Sequence, residues 1–147
     1  MKWEVEMKTE LPTRIPPFEH QQRAFEFAMK RLLDTGGSAL LMEMGTGKSY
    51  VSIAIAGALW QQGRIRRVLV VAPLSVLSVW ESEFPKFAAF PFGFTTLAGT
   101  IEKKRQQLKD IPKNTLQIVA VNYESAWRLE PELLKFRPDL VIADEAH

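Results

Sequence analysis

The sequence contains no cysteine, which excludes disulfide bonds, thiolate metal sites and thiol chemistry. It also lacks any apolar run near the ~18 residues of a membrane-spanning helix, and the opening MKWEVEMKTE has no apolar core of signal-peptide length. A cytoplasmic protein with no membrane association is the expectation. Nor does one sign of charge dominate. The 19 basic and 17 acidic residues leave a formal charge of +2, too balanced for net electrostatics to announce a polyanionic partner. With 46% apolar and 24% charged residues, the composition is that of a globular protein and disorder is not indicated. The 147 residues suit one domain, which at this size buries about two-thirds of the surface it exposes when unfolded.

What is present is an alternation of short apolar runs with helical patterns. After the proline-broken LPTRIPP, residues 19 to 33 place Ala24, Phe25, Ala28 and Leu32 at helical spacing, and Gly36 and Gly37 end the pattern. SALLMEM (38 to 44) is too brief for a helix and reads as a buried strand. Helical patterns over 48 to 62, over 75 to 87 with Ser75 as the cap, over 101 to 109 and over 124 to 134 alternate with strands at 67 to 73, 94 to 98, 116 to 123 and in DLVIADE. In the second of these helices Val76, Val79 or Trp80, and Phe84 face inward, with Glu81 and Glu83 outward. The basic stretch EKKRQQLKDIPK (102 to 113) reads as a solvated helix face. The order predicts an α/β fold with a mostly parallel sheet covered on both faces, whose ligands sit at the carboxyl ends of the strands.

Two stretches carry chemistry. EMGTGKS (43 to 49) lies between an expected strand and an expected helix, the setting of a phosphate-binding loop. Gly45 and Gly47 admit backbone angles closed to residues with a Cβ, so the NH groups of residues 45 to 47, Thr46 included, can turn inward around anionic oxygens. The following helix adds unpaired NH groups and the positive end of its dipole. Lys48 reaches the β and γ phosphates, and Ser49 offers a hydroxyl to Mg²⁺. Met42 stands where the longer GxxxxGK[ST] form has its first glycine, yet the GxGK[ST] core arises by chance in under about 1% of chains this long. The second stretch is DEAH (144 to 147), delivered by the apolar LVIA. Asp144 is suited to hold Mg²⁺ and Glu145 to orient and deprotonate a water, because phosphoryl transfer is mainly positioning plus charge neutralisation.

Together these stretches resemble the first half of a superfamily-two helicase motor, in particular the Swi/Snf-type DNA translocases. FEHQQRAFEFAM (18 to 29) is similar to the family's adenine-recognition segment, which assigns Gln21 to the base. VLVVAPLSVLSVWESEFPKF (68 to 87) is similar to the next motif in layout: strand, Ala-Pro, helix, Trp, an acidic residue and Phe. The resemblance implies nucleic-acid backbone contacts at Pro73, Leu74 and Ser75, and at Asn122 and Tyr123 of VNYESAW. Trp80 and Phe84, at helical spacing, read as core rather than as base-stacking residues.

The resemblance further implies a three-layer P-loop NTPase fold of RecA-like type, with residues 1 to 147 forming the N-terminal part of the ATP-binding domain and incomplete at the C-terminus. ATP, Mg²⁺ and duplex DNA are the ligands it implies. A further strand after DEAH and a second RecA-like lobe bearing arginines, supplied by the full-length chain or a partner, lie beyond the sequence. The isolated chain is therefore expected to bind nucleotide weakly with almost no turnover, and to be open to pairing with another copy through unpaired sheet edges. Two alternatives remain at this point: a non-catalytic nucleotide- or partner-binding module, and the motor part of a restriction or RNA-remodelling enzyme.

Overall fold

In the computed structural model the described residues are 10–36, 48–111 and 115–144, with the Lys48 side chain outside that set. The strand expected over 38 to 44 and residues 43 to 47 of the glycine loop lie outside it too. Six helices and four strands follow in order among the described residues: α1 (Glu19–Thr35), α2 (Lys48–Gln61), β1 (Arg67–Ala72), α3 (Leu77–Phe87), β2 (Phe92–Thr96), α4 (Ile101–Lys109), β3 (Leu116–Asn122), α5 (Tyr123–Arg128), α6 (Glu130–Phe136) and β4 (Leu140–Ala143). A 3₁₀ turn at Leu74–Val76 joins β1 to α3.

The strands form one sheet in the order β2-β3-β1-β4, and every pairing is parallel. β1 and β3 occupy its middle and are nearly continuous apolar runs, as strands covered on both faces must be. Their alternate side chains feed two cores. Val68, Val70, Ala72, Leu116, Ile118 and Ala120 pack with α1, α2 and α3 on one face. Leu69, Val71, Val119 and Val121 meet Leu97, Ile111, Leu129 and Leu133 on the other. The expected parallel α/β arrangement with both faces covered is thus present among the described residues. Among them, too, no helix is long and apolar enough to cross a membrane.

Helix α2 is apolar around most of its circumference because it is enclosed, lying against α1 and α3 beneath the sheet. Helix α1 stops where Gly36 adopts φ 79° and donates its N–H to the Leu32 carbonyl, a left-handed turn that favours glycine. The lead before α1 is tied down by backbone bonds from Arg14 N–H to the Phe87 carbonyl and from Ala89 N–H to the Pro12 carbonyl.

Three local expectations need correction, and one open alternative is resolved. Ser75 does not cap a helix: it sits exposed inside the 3₁₀ turn, whose cap is Pro73, and α3 starts later at Leu77 with no side-chain cap. Of the two candidates for the inward position in α3, Trp80 is 3% exposed and Val79 44%, so Trp80 takes it. The weak strand at 94 to 98 starts two residues earlier, at Phe92, because Phe92 and Phe94 pack on Phe84 with ring centroids 5.5 and 5.3 Å away. The helix at 124 to 134 breaks at Leu129, because Pro131 has no N–H with which to continue the hydrogen-bond ladder and is accommodated in the first turn of a new helix, where that N–H is not needed.

Gly57 in α2 lies against the buried Phe90, whose ring a Cβ there would overlap. Alanine has the better helix propensity by about 1 kcal/mol, but overpacking a filled core costs about 1–3 kcal/mol. Gly57→Ala is expected to lower the midpoint of urea unfolding; a raised midpoint would show that Phe90 yields.

Candidate functional site at the carboxyl edge of the sheet

Because all four strands run the same way, their carboxyl ends share one edge. The register pairs Ala72 with Asn122 and Val71 with Ala143. The segments that leave β1, β3 and β4 at these ends are the turn at Pro73, Leu74 and Ser75, the start of α5 at Asn122 and Tyr123, and Asp144. Five candidate nucleic-acid residues and one candidate acid therefore meet at the edge where ligands of such sheets bind. Gly45, Thr46, Gly47 and Glu145 lie outside the described residues. Lys48 opens α2, and Ser49 follows it half-buried in the first turn.

Asp144 is held at three points. Its N–H donates to the Val71 carbonyl at 2.8 Å, its carbonyl accepts from the Tyr123 hydroxyl at 2.9 Å, and its Oδ2 accepts from the Trp80 indole Nε1 at 2.8 Å. A hydrogen bond to a charged acceptor contributes about 1.5–3 kcal/mol when shielded from water; Asp144 is half-buried, so the lower end applies. The Trp80 ring has its own need for this partner, since a buried indole N–H left unpaired costs about 1–3 kcal/mol. Tyr123 and Trp80 thus fix the acid in place from two different helices. The reading of Trp80 as core is correct but incomplete, because its N–H reaches 64 residues along the chain. The available signal was the indole itself, which requires an acceptor wherever it is buried.

Asn122 is engaged as well. Its Oδ1 accepts from Ser125 N–H at 2.7 Å and caps α5. Ser125 in turn accepts from Lys104 Nζ at 2.6 Å, and both residues are buried. The basic stretch is therefore not wholly a solvated face: Lys104 docks α4 on the start of α5, while Arg105 pairs with Glu102 at 2.7 Å and Glu132 at 3.3 Å. Gln21 also has a local duty. It is 7% exposed, and its Oε1 accepts from Phe18 N–H at 2.8 Å, closing the first turn of α1. Pro73 is half-buried, whereas Leu74 and Ser75 are open to solvent.

Residues 20–147 match the family model described as the SNF2-related domain. The chain is 34% identical over 145 residues to the DNA repair and recombination protein RAD54 of Oryza sativa subsp. japonica, covering 88% of this chain and 14% of that protein. It is 30% identical over 138 residues to the bifunctional helicase and thymine dioxygenase JBP2 of Trypanosoma cruzi, covering 86% of this chain and 13% of the relative. The chain therefore spans only about one-seventh of the length of these curated relatives. Among solved structures, the Sulfolobus solfataricus SWI2/SNF2 ATPase core in complex with dsDNA superposes with a TM-score of 0.71 at 19% identity, over 93% of this chain and 33% of that one. The fold is shared.

Removing the α5 cap tests how the edge is built. Asn122→Ala should cost about 1 kcal/mol of stability in urea unfolding, with Asn122→Asp retaining most of it; equal stability of all three proteins would deny Asn122 its capping duty.

Proposed function

The chain belongs to the SNF2-related family, and from that premise we propose that it is the ATP-binding part of a motor that couples ATP hydrolysis to movement along duplex DNA. The observation that carries this reading is the convergence of Asp144 with the Pro73–Ser75 turn and the Asn122–Tyr123 pair on one sheet edge. Such an edge lets one domain respond to a nucleotide and to a nucleic-acid backbone at the same time. The names of the relatives, a DNA repair and recombination protein and a core bound to dsDNA, favour duplex DNA over RNA.

In this reading the NH groups of Gly45, Thr46 and Gly47 and the start of α2 cradle the phosphates, and the Lys48 ammonium neutralises charge that builds on the transferred group. Gln21 contacts the adenine, which requires its amide to serve the base beside its bond to Phe18. Ser49 and Asp144, the two residues of the expected metal set, are hard oxygen donors. They fit Mg²⁺, which keeps most of its water and takes one or two protein groups. When bound, that ion offsets phosphate charge. Asp144 and Glu145 open the DEAH sequence, and the Glu145 carboxylate orients the attacking water and accepts its proton. At the turn, Leu74 and Ser75 are exposed and can meet a DNA phosphate directly; Asn122 and Tyr123 reach one only beside the bonds they already make.

A second RecA-like lobe, in the same chain or on a partner, completes the motor in this reading. Arginines reaching across such an interface accelerate related reactions by 10³–10⁵, so residues 1–147 alone should turn over very slowly. A cytoplasmic setting accompanies the proposal.

Steady-state hydrolysis by the intact protein, with duplex DNA, single strands and RNA compared, tests it. Duplex DNA should stimulate turnover most, and Lys48→Ala should lower kcat by roughly 10²-fold or more, as loss of one electrostatic stabiliser does elsewhere. Hydrolysis indifferent to Lys48→Ala would end the proposal.

A further inference from the structure

Trp80 lies one helical turn from the 3₁₀ turn that offers Leu74 and Ser75 to solvent, and its indole holds the acid at the end of β4. The first turn of α3 is rigidly seated. Leu77 and Trp80 are both nearly fully buried, and the Trp80 ring packs against Phe84 with centroids 6.2 Å apart. Pro73 precedes this unit with an extended backbone, φ −58° and ψ 148°, and its carbonyl accepts from Val76 N–H at 2.9 Å. A displacement of the turn therefore cannot be absorbed within α3 without disturbing packed rings; it passes to the indole and from there to the Asp144 carboxylate.

We propose that Trp80 is a positioning residue for Asp144 that ties the orientation of this carboxylate to what occupies the turn at Leu74–Val76. The inference rests on the reading of the turn as a DNA contact and of Asp144 as part of the nucleotide site. It adds a physical connection between them, made by one hydrogen bond across 64 residues of sequence. Tyr123 supplies the fixed reference: its hydroxyl holds the Asp144 backbone from α5, so a movement of the indole turns the carboxylate rather than carrying the whole residue away.

The test uses the intact protein and its Trp80→Phe variant, which keeps an aromatic ring and removes the donor. The ratio of duplex-stimulated to unstimulated kcat should fall about tenfold, the usual size of coupling between two sites, with KM for ATP and Kd for duplex within about twofold of their original values. Val79→Ala alters an exposed side chain on the same helix and keeps both the donor and the packed rings; it should preserve the ratio. A readout independent of turnover is the ¹⁹F resonance of 5-fluorotryptophan at position 80, identified by its loss in Trp80→Phe. That resonance should move in Asp144→Ala, and in the unsubstituted protein it should move again when duplex is added.

An unchanged ratio in Trp80→Phe, an equal loss in Val79→Ala, or a resonance indifferent to Asp144→Ala or to duplex would each overturn the proposal. Failure of the underlying functional reading looks different: hydrolysis then survives Lys48→Ala whatever residue occupies position 80.

Discussion

Asp144 depends on a strand that could not place it alone. β4 has four residues and alternates half-buried with exposed positions, and among the described residues it pairs only with β1. So short a strand has little area with which to hold itself, and its ends are clamped instead. At the amino end, the Asp139 carboxylate accepts from Arg66 and Arg67 N–H at 2.8 and 3.0 Å. At the carboxyl end Asp144 is bound by Val71, Tyr123 and Trp80. Both clamps fix register against β1, and register decides which residues emerge at the carboxyl edge.

The same constraint explains the unequal treatment of the two faces. β1 and β3 are buried on both sides and set the frame, while β4 contributes Leu140 and Ile142 to the core formed with α1, α2 and α3. On the other face of β4, Val141 is 55% exposed. A carboxylate that is to meet a ligand needs access as well as a stable backbone, and a half-covered strand pinned by hydrogen bonds provides both. The buried bond between Lys104 and Ser125 stiffens the neighbouring start of α5 in the same way, and α5 carries the Tyr123 hydroxyl that holds Asp144.

The alternation of elements was legible because strand and helix leave different periods in the sequence. Residues 101 to 109 were predicted as a helix with the observed bounds, and the apolar runs at 67 to 73 and 116 to 123 needed only their last residues trimmed. The misplacements came from tertiary preferences. Ser75 is a good cap by type, but the chain uses a 3₁₀ turn there because Leu77 and Trp80 must enter the core. The break at Leu129 was visible in Pro131, and the periodicity of the surrounding apolar residues masked it. The glycine loop rests on residue types alone, since backbone freedom, a cation and a hydroxyl stand in a fixed short order, and its residues 43 to 47 lie outside the described ones.

By itself, the sequence determined the α/β class and the family resemblance and singled out the candidate groups, because these depend on local periods and on residues a few positions apart. Only the tertiary structure decided that Trp80, Tyr123 and Val71 all converge on Asp144, and that a lysine within a charged stretch is buried. Those contacts join residues that are 21 to 73 positions apart. A hydrogen bond leaves no periodic trace in the chain; it exists only once packing has brought donor and acceptor to the same place.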